Sequence, residues 1–224
     1  MNTTRRGFLG SAAANAAALT ILPGSAFAHL PSDLNPARDS DDWSVAWANK
    51  LTGKHKALFD MTEPESGFGV WRAAAWNKQY RDVMKAAPAD LSTVLILRHN
   101  AVILAMQQAF WDKYGIGAMY KVGHPMTQVI TAKNPALMDG SDGLPAPFDD
   151  IGLQRQIGRG AIALACNLAL QDLVDVIAKA DGISKEAAYP KAVGYLVPGV
   201  ILQPSGVFAV VRAQQAGAAY VKAS

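Results

Sequence analysis

Cys166 is the only cysteine in the 224-residue chain, and it closes a short apolar run, Ala161-Ile-Ala-Leu-Ala-Cys166, just before Asn167. A thiol at the carboxyl end of a strand and the amino end of a helix occupies the edge where open α/β sheets form their clefts. The free N–H groups of the helix's first turn favour a thiolate there, and Asn167 is placed to cap that helix. Asp172 and Asp175, one to two turns further on, would offset part of this effect. A lone cysteine in an Ala/Leu-rich stretch is equally a small buried hydrophobe, or a ligand contact. His99 follows the apolar run 91–97 and has Arg98 and Asn100 as neighbours. It is expected at the same sheet edge, where an imidazole acts as base or stabilises a thiolate; hydrogen bonding of the strand–helix turn is its other role. His124, in Gly123-His124-Pro125-Met126, is a pocket residue or a solvated loop histidine. The candidate catalytic pair is therefore Cys166 and His99, with Arg98, Asn100, Asn167 and His124 as candidate ligand contacts.

Several other chemistries are excluded. One cysteine permits no intrachain disulfide, no haem attachment motif and no zinc ribbon. The pairs Gly67-Phe-Gly69, Gly115-Ile-Gly117 and Gly158-Arg-Gly160 lack the remainder of a dinucleotide fingerprint. There is no phosphate loop and no Gly-x-Ser-x-Gly elbow. Asp149-Asp150 reads as a helix-capping pair rather than a metal site. The motifs thus call for no cofactor.

The chain opens with Thr3-Thr4-Arg5-Arg6-Gly7-Phe8-Leu9, an alanine-rich apolar stretch to Leu22, and then Ala26-Phe27-Ala28. A charged start, a short apolar segment and small residues at a cut site form the layout of an export peptide. The paired arginines followed by Phe-Leu resemble the twin-arginine signal. Cleavage is expected before His29, with a periplasmic or otherwise extracytoplasmic destination. The segment 8–22 falls short of the roughly 20 apolar residues of a stable membrane span. A processed His29 would carry a free amine beside its imidazole, a ready copper chelate, although no other histidine has diagnostic spacing.

Removal of residues 1–28 leaves 196 residues, and the loss of Arg5 and Arg6 lowers the net charge from +3 to +1. No dense basic run follows, which argues against nucleic acid as a partner. A chain of this size suits one domain with its own core, here 55–224, preceded by an extension at 29–54.

These residues must be positioned by alternating elements. Short apolar runs at 56–61, 91–97, 161–165 and 218–222, and a kinked one within 194–203, read as strands. Stretches 67–86, 101–114, 151–158, 167–180 and 207–216 read as helices, with a short helix in 42–49. The segment 115–150, rich in glycine and proline, is too long for a routine connection; it reads as an insertion, lid or assembly arm with a short strand near 128–131. Alternation with apolar strands predicts an α/β fold with a mainly parallel sheet and helices on both faces.

The ordered set Ala161-Ile-Ala-Leu-Ala-Cys166, Leu196-Val-Pro-Gly-Val-Ile-Leu-Gln-Pro-Ser-Gly206 and Ala213-Gln-Gln-Ala-Gly-Ala-Ala-Tyr220 resembles the DsrE/DsrF-like sulfur-relay family. Thr93-Val-Leu-Ile-Leu-Arg-His-Asn-Ala101 matches that family's second strand and turn. The likeness runs over roughly 56–222, interrupted by the insertion at 115–150. It implies a compact flavodoxin-like domain that self-associates as a homo-oligomer. It also implies a cysteine, here Cys166, that carries persulfide sulfur from a donor protein or handles a small molecule. The export signal departs from the family, whose relay members act in the cytoplasm. The alternative function is a non-catalytic oligomeric binding or scaffold protein of the cell envelope.

Overall fold

The computed structural model describes residues 43–224. The expected signal peptide and His29 lie outside the described residues. Five strands form one sheet in the order β4-β3-β2-β1-β5: β1 His55–Met61, β2 Leu91–Leu97, β3 Ile162–Cys166, β4 Val200–Gln203 and β5 Ala219–Lys222. Every neighbouring pair is parallel. The α-helices are α1 Phe68–Met84, α2 Gln108–Tyr114, α3 Ile116–Met119, α4 Leu153–Gly158, α5 Asn167–Asp181, α6 Lys185–Gly194 and α7 Gly206–Gln215.

The central strands are covered on both sides, so they read as near-continuous apolar runs rather than alternating ones. Odd-numbered Phe59, Met61, Leu95, Leu97, Ala163 and Ala165 pack in one cluster with residues of α1, α2, α5 and α6. Even-numbered Leu58, Val94, Ile96, Ile162 and Leu164 form a second cluster with Ala209 and Ala213 of α7 and with Trp47. That second face is covered by α7 and by the short 3-10 turn Ala46–Lys50. The two faces follow from topology. Connections β1→β2→β3→β4 all advance in one direction, whereas β4→β5 returns across the sheet, and right-handed crossovers then place α7 on the opposite side. Adjacent strands β3 and β4 therefore send their chains to opposite faces, which makes their carboxyl ends the switch point of the sheet. The chain is a Rossmann-like, broadly flavodoxin-like α/β protein. Its final strand occupies the edge beside β1 that the second strand takes in the 2-1-3-4-5 order.

Two local expectations are corrected, and one helix was missed. The helix expected over 101–114 is a 3-10 turn, His99–Ala105, followed by α2. Tertiary hydrogen bonds break it: Val197 N–H donates to Ala105 O at 2.8 Å, and Gln107 N–H donates to Tyr195 O at 2.8 Å. The strand near 128–131 is reduced to one antiparallel bridge between Gly123 and Ile130. Helix α6 was not anticipated, because Pro190 lies inside it and proline normally argues against a helix interior. Ser184 caps it by accepting from Ala187 N–H.

The insertion is fastened to the core by Asn134, which is fully buried. Its amide donates to Leu104 O at 3.1 Å and Met106 O at 2.7 Å, and its oxygen accepts from Ala136 N–H at 3.0 Å. Among the described residues no helix is long and apolar enough to cross a membrane.

Candidate functional site

The carboxyl edge of the sheet carries one polar or ionisable side chain from each strand position. In sheet order these are Gln203, Cys166, Arg98, Asp60 and Tyr220. The parity is that of the second core cluster for Asp60, which follows Leu58 by two residues, and for Arg98, which follows Ile96; Cys166 follows Leu164 but packs with the first cluster at the start of α5. Residues two apart share a sheet face. Register sets Cys166 opposite Gln203, whereas Asp60 is opposite Ile96 and Tyr220 opposite Leu58, so the Arg98 and Tyr220 side chains reach Asp60 along the strands from its two flanks.

Asp60 is 2% exposed, a position that an ionised carboxylate occupies only with strong partners. Arg98 supplies a two-point fork, Nε to Oδ1 at 2.7 Å and Nη2 to Oδ2 at 2.8 Å. The Tyr220 hydroxyl donates to Oδ2 at 3.0 Å. The hydrogen bonds to Asp60 hold the Arg98 pKa above its ordinary value against the opposing effect of burial, and the charges of Asp60, Tyr220 and Cys166 act in the same direction. Burial, then donation to Asp60, raises that of Tyr220. No hydrogen bond among the described residues engages Nη1 of Arg98. Helix α7 begins directly against this side chain: a Cβ on Gly206 would lie 2.4 Å from Arg98 Cβ. Only glycine permits that approach without displacing the arginine stem.

Cys166 is 6% exposed. It caps α5 itself, Sγ accepting from Ala169 N–H at 3.4 Å, so the capping role expected for Asn167 belongs to the sulfur. Asn167 is 2% exposed and its Oδ1 accepts from Tyr189 Oη at 2.9 Å. Gln203 is fully buried; its Oε1 accepts from Trp47 Nε1 at 3.0 Å and its amide donates to Ser44 O at 3.0 Å.

The remaining sequence candidates separate from this row. His99 adopts a left-handed backbone with φ of 51°, a conformation seen more often for histidine than for most residues. Its exposed ring meets Glu63 Oε1 at 3.1 Å, and Asn100 donates to Glu63 Oε2 at 2.9 Å. His99 thus engages the loop after β1, and none of its hydrogen bonds reaches Cys166. His124 is held inside the insertion, Nδ1 accepting from Met126 N–H at 3.1 Å and Nε2 lying 3.2 Å from Asp142 O. Asp150 does not cap α4; it pairs with Arg155 at 2.8 Å and with Arg159. Among the described residues no cluster of His, Cys, Asp and Glu is arranged for a metal.

Sequence reasoning missed Asp60, Gln203 and Tyr220. One signal was available: Asp60 is an acid inside the apolar run Ala57-Leu-Phe-Asp-Met61, and buried acids require a cationic partner. Comparison with protein-family models, with curated proteins and with solved structures returned no match.

Proposed function

We propose that this chain is an exported DsrE-like protein that holds and passes sulfane sulfur at Cys166. The observation that carries this is the setting of the sulfur. Sγ lies at the amino end of the fifteen-residue α5 and accepts the Ala169 N–H, and Arg98 follows the neighbouring strand end, one residue beyond the Leu97–Ala165 pair. Helix amino termini and guanidinium groups are common partners of anionic ligands. Open α/β sheets bind their ligands outside such a switch point, and Arg98 Nη1 supplies a donor for an anionic group.

In the proposed step the Cys166 thiolate attacks the outer sulfur of an organic persulfide. An S–S bond forms at Cys166, the donor's S–S bond breaks, and the donor leaves as a thiolate. Attack by an acceptor thiolate on the outer sulfur reverses the exchange. Sulfane sulfur moves without any outside oxidant. Arg98 faces the charge in both directions, while Asp60 and Tyr220 fix the guanidinium.

The deep burial of Cys166 favours a second reading, a structural thiol in a binding or scaffold protein. Native-state alkylation separates the two. Protein from the envelope fraction, treated with iodoacetamide without denaturant, is expected to begin at His29 by intact mass and to carry one label. A thiol that is alkylated only after unfolding would remove the sulfur-transfer reading. A chain retaining residues 1–28 would remove the export reading.

A further inference from the structure

A cavity of about 820 Å³ lies at the other end of the sheet from Cys166. Its floor is the start of β2 and β3, through Leu91, Thr93 and Ala161. One wall is α1, with Trp71, Ala74 and Ala75, and the other is the end of the insertion, with Phe148 and Ile151. The volume falls within the range of small-molecule sites.

Two of its lining side chains each carry a polar atom without a hydrogen-bond partner, Trp71 Nε1 and Gln156 Oε1, and both atoms are turned into the packed wall away from the open space. These residues are 4% and 5% exposed. Gln156 cannot relieve its oxygen by turning over. Its amide nitrogen already donates to Val70 O at 2.8 Å and Ile151 O at 2.7 Å, and a flip would set oxygen against two carbonyls. Trp71 is held flat against Phe148, with ring centroids 4.9 Å apart and planes 18° apart. Unpaired buried polar atoms are costly and uncommon in folded proteins. Asp150 Oδ1 at the rim is not such an atom, because Arg155 Nε meets it at 2.8 Å.

The mouth is cationic, with Lys78, Arg81 and Arg159 against Asp150. Lys78 is paired with Asp82 and Arg159 with Asp150, whereas Arg81 has no ion pair among the described residues. We propose that the cavity binds a small aromatic acid. Its ring packs on the apolar lining formed by Trp71, Phe148 and Ile151, and its anionic group lies at the mouth near Arg81. This site is separate from the Cys166 edge, and the two stand or fall independently.

The test uses 8-anilinonaphthalene-1-sulfonate as a fluorescent reporter and 5-hydroxyindole-3-acetate as the competing acid. The full chain is expected to bind the reporter saturably at one site and release it to the acid. Ala74→Trp, which fills the cavity from α1, should weaken both by at least about tenfold with the near-ultraviolet circular dichroism retained. Should that variant not fold, Ala75→Phe is read in its place. Arg81→Glu should weaken the acid by about fivefold and leave neutral 5-hydroxyindole unchanged, and Cys166→Ser should alter neither. Absence of saturable binding, binding indifferent to the filled cavity, or fluorescence that grows only as the near-ultraviolet signal is lost would overturn the proposal.

Discussion

Arg98→Met is expected to lower folding stability by about 3–5 kcal/mol, read as a shifted midpoint in chemical denaturation. Methionine keeps an apolar stem against Gly206 but removes the fork that neutralises Asp60. The Asp60 side chain is 3% exposed, so water cannot replace the guanidinium, and the Tyr220 hydroxyl alone remains. Asp60→Asn should cost less, about 2 kcal/mol, because the stranded Arg98 side chain is 28% exposed and can recruit water. The double variant Asp60→Asn/Arg98→Met should recover part of the single Arg98 loss, since no unpaired charge is then left. An Arg98→Met chain within about 1 kcal/mol of wild type, the range of a surface pair, would show that this bond does not hold the sheet edge.

Asn134→Ala is expected to cost about 3 kcal/mol and to loosen the insertion before the rest of the domain. The Leu104 and Met106 carbonyls and the Ala136 N–H all lose their partner in a place that water does not reach. Limited proteolysis should then cut within 115–150 at denaturant concentrations that leave the wild-type segment intact. Unchanged cleavage would mean that Asn134 is not the fastening. The chain does offer other ties, such as Lys133 to Asp142 at 2.5 Å, but that ion pair is internal to the insertion and does not anchor it.

Much of the fold was legible because burial on both faces leaves a direct mark. Leu91–Leu97 and the run ending at Cys166 stand out as apolar segments, and the helices that cover them show 3.6-residue periodicity. Elements governed by distant partners were not legible. The 101–114 stretch has a helical pattern, yet its middle carbonyls and amides are taken by Asn134, Tyr195 and Val197. Helix α6 was concealed by Pro190, whose cost is met by packing of Ala188, Tyr189 and Ala192 in the core.

The candidate site divided along the same line. Cys166 was found from its position at a strand end, and Arg98 from its neighbours. Their relation to Asp60, Gln203 and Tyr220 depends on strand order, which no local pattern encodes. His99 follows Arg98 directly, but its left-handed backbone turns the ring to Glu63. Adjacency in sequence is therefore a poor guide to partnership at a strand end, where one residue's step changes the face.

The central claim, that Cys166 accepts sulfane sulfur, is tested most directly by intact mass after treatment of the native protein with glutathione persulfide. Wild type is expected to gain one sulfur atom, to lose it on reduction, and to pass it to a fresh thiol, while Cys166→Ser gains nothing. A wild-type chain whose mass is unchanged although it remains folded would contradict it.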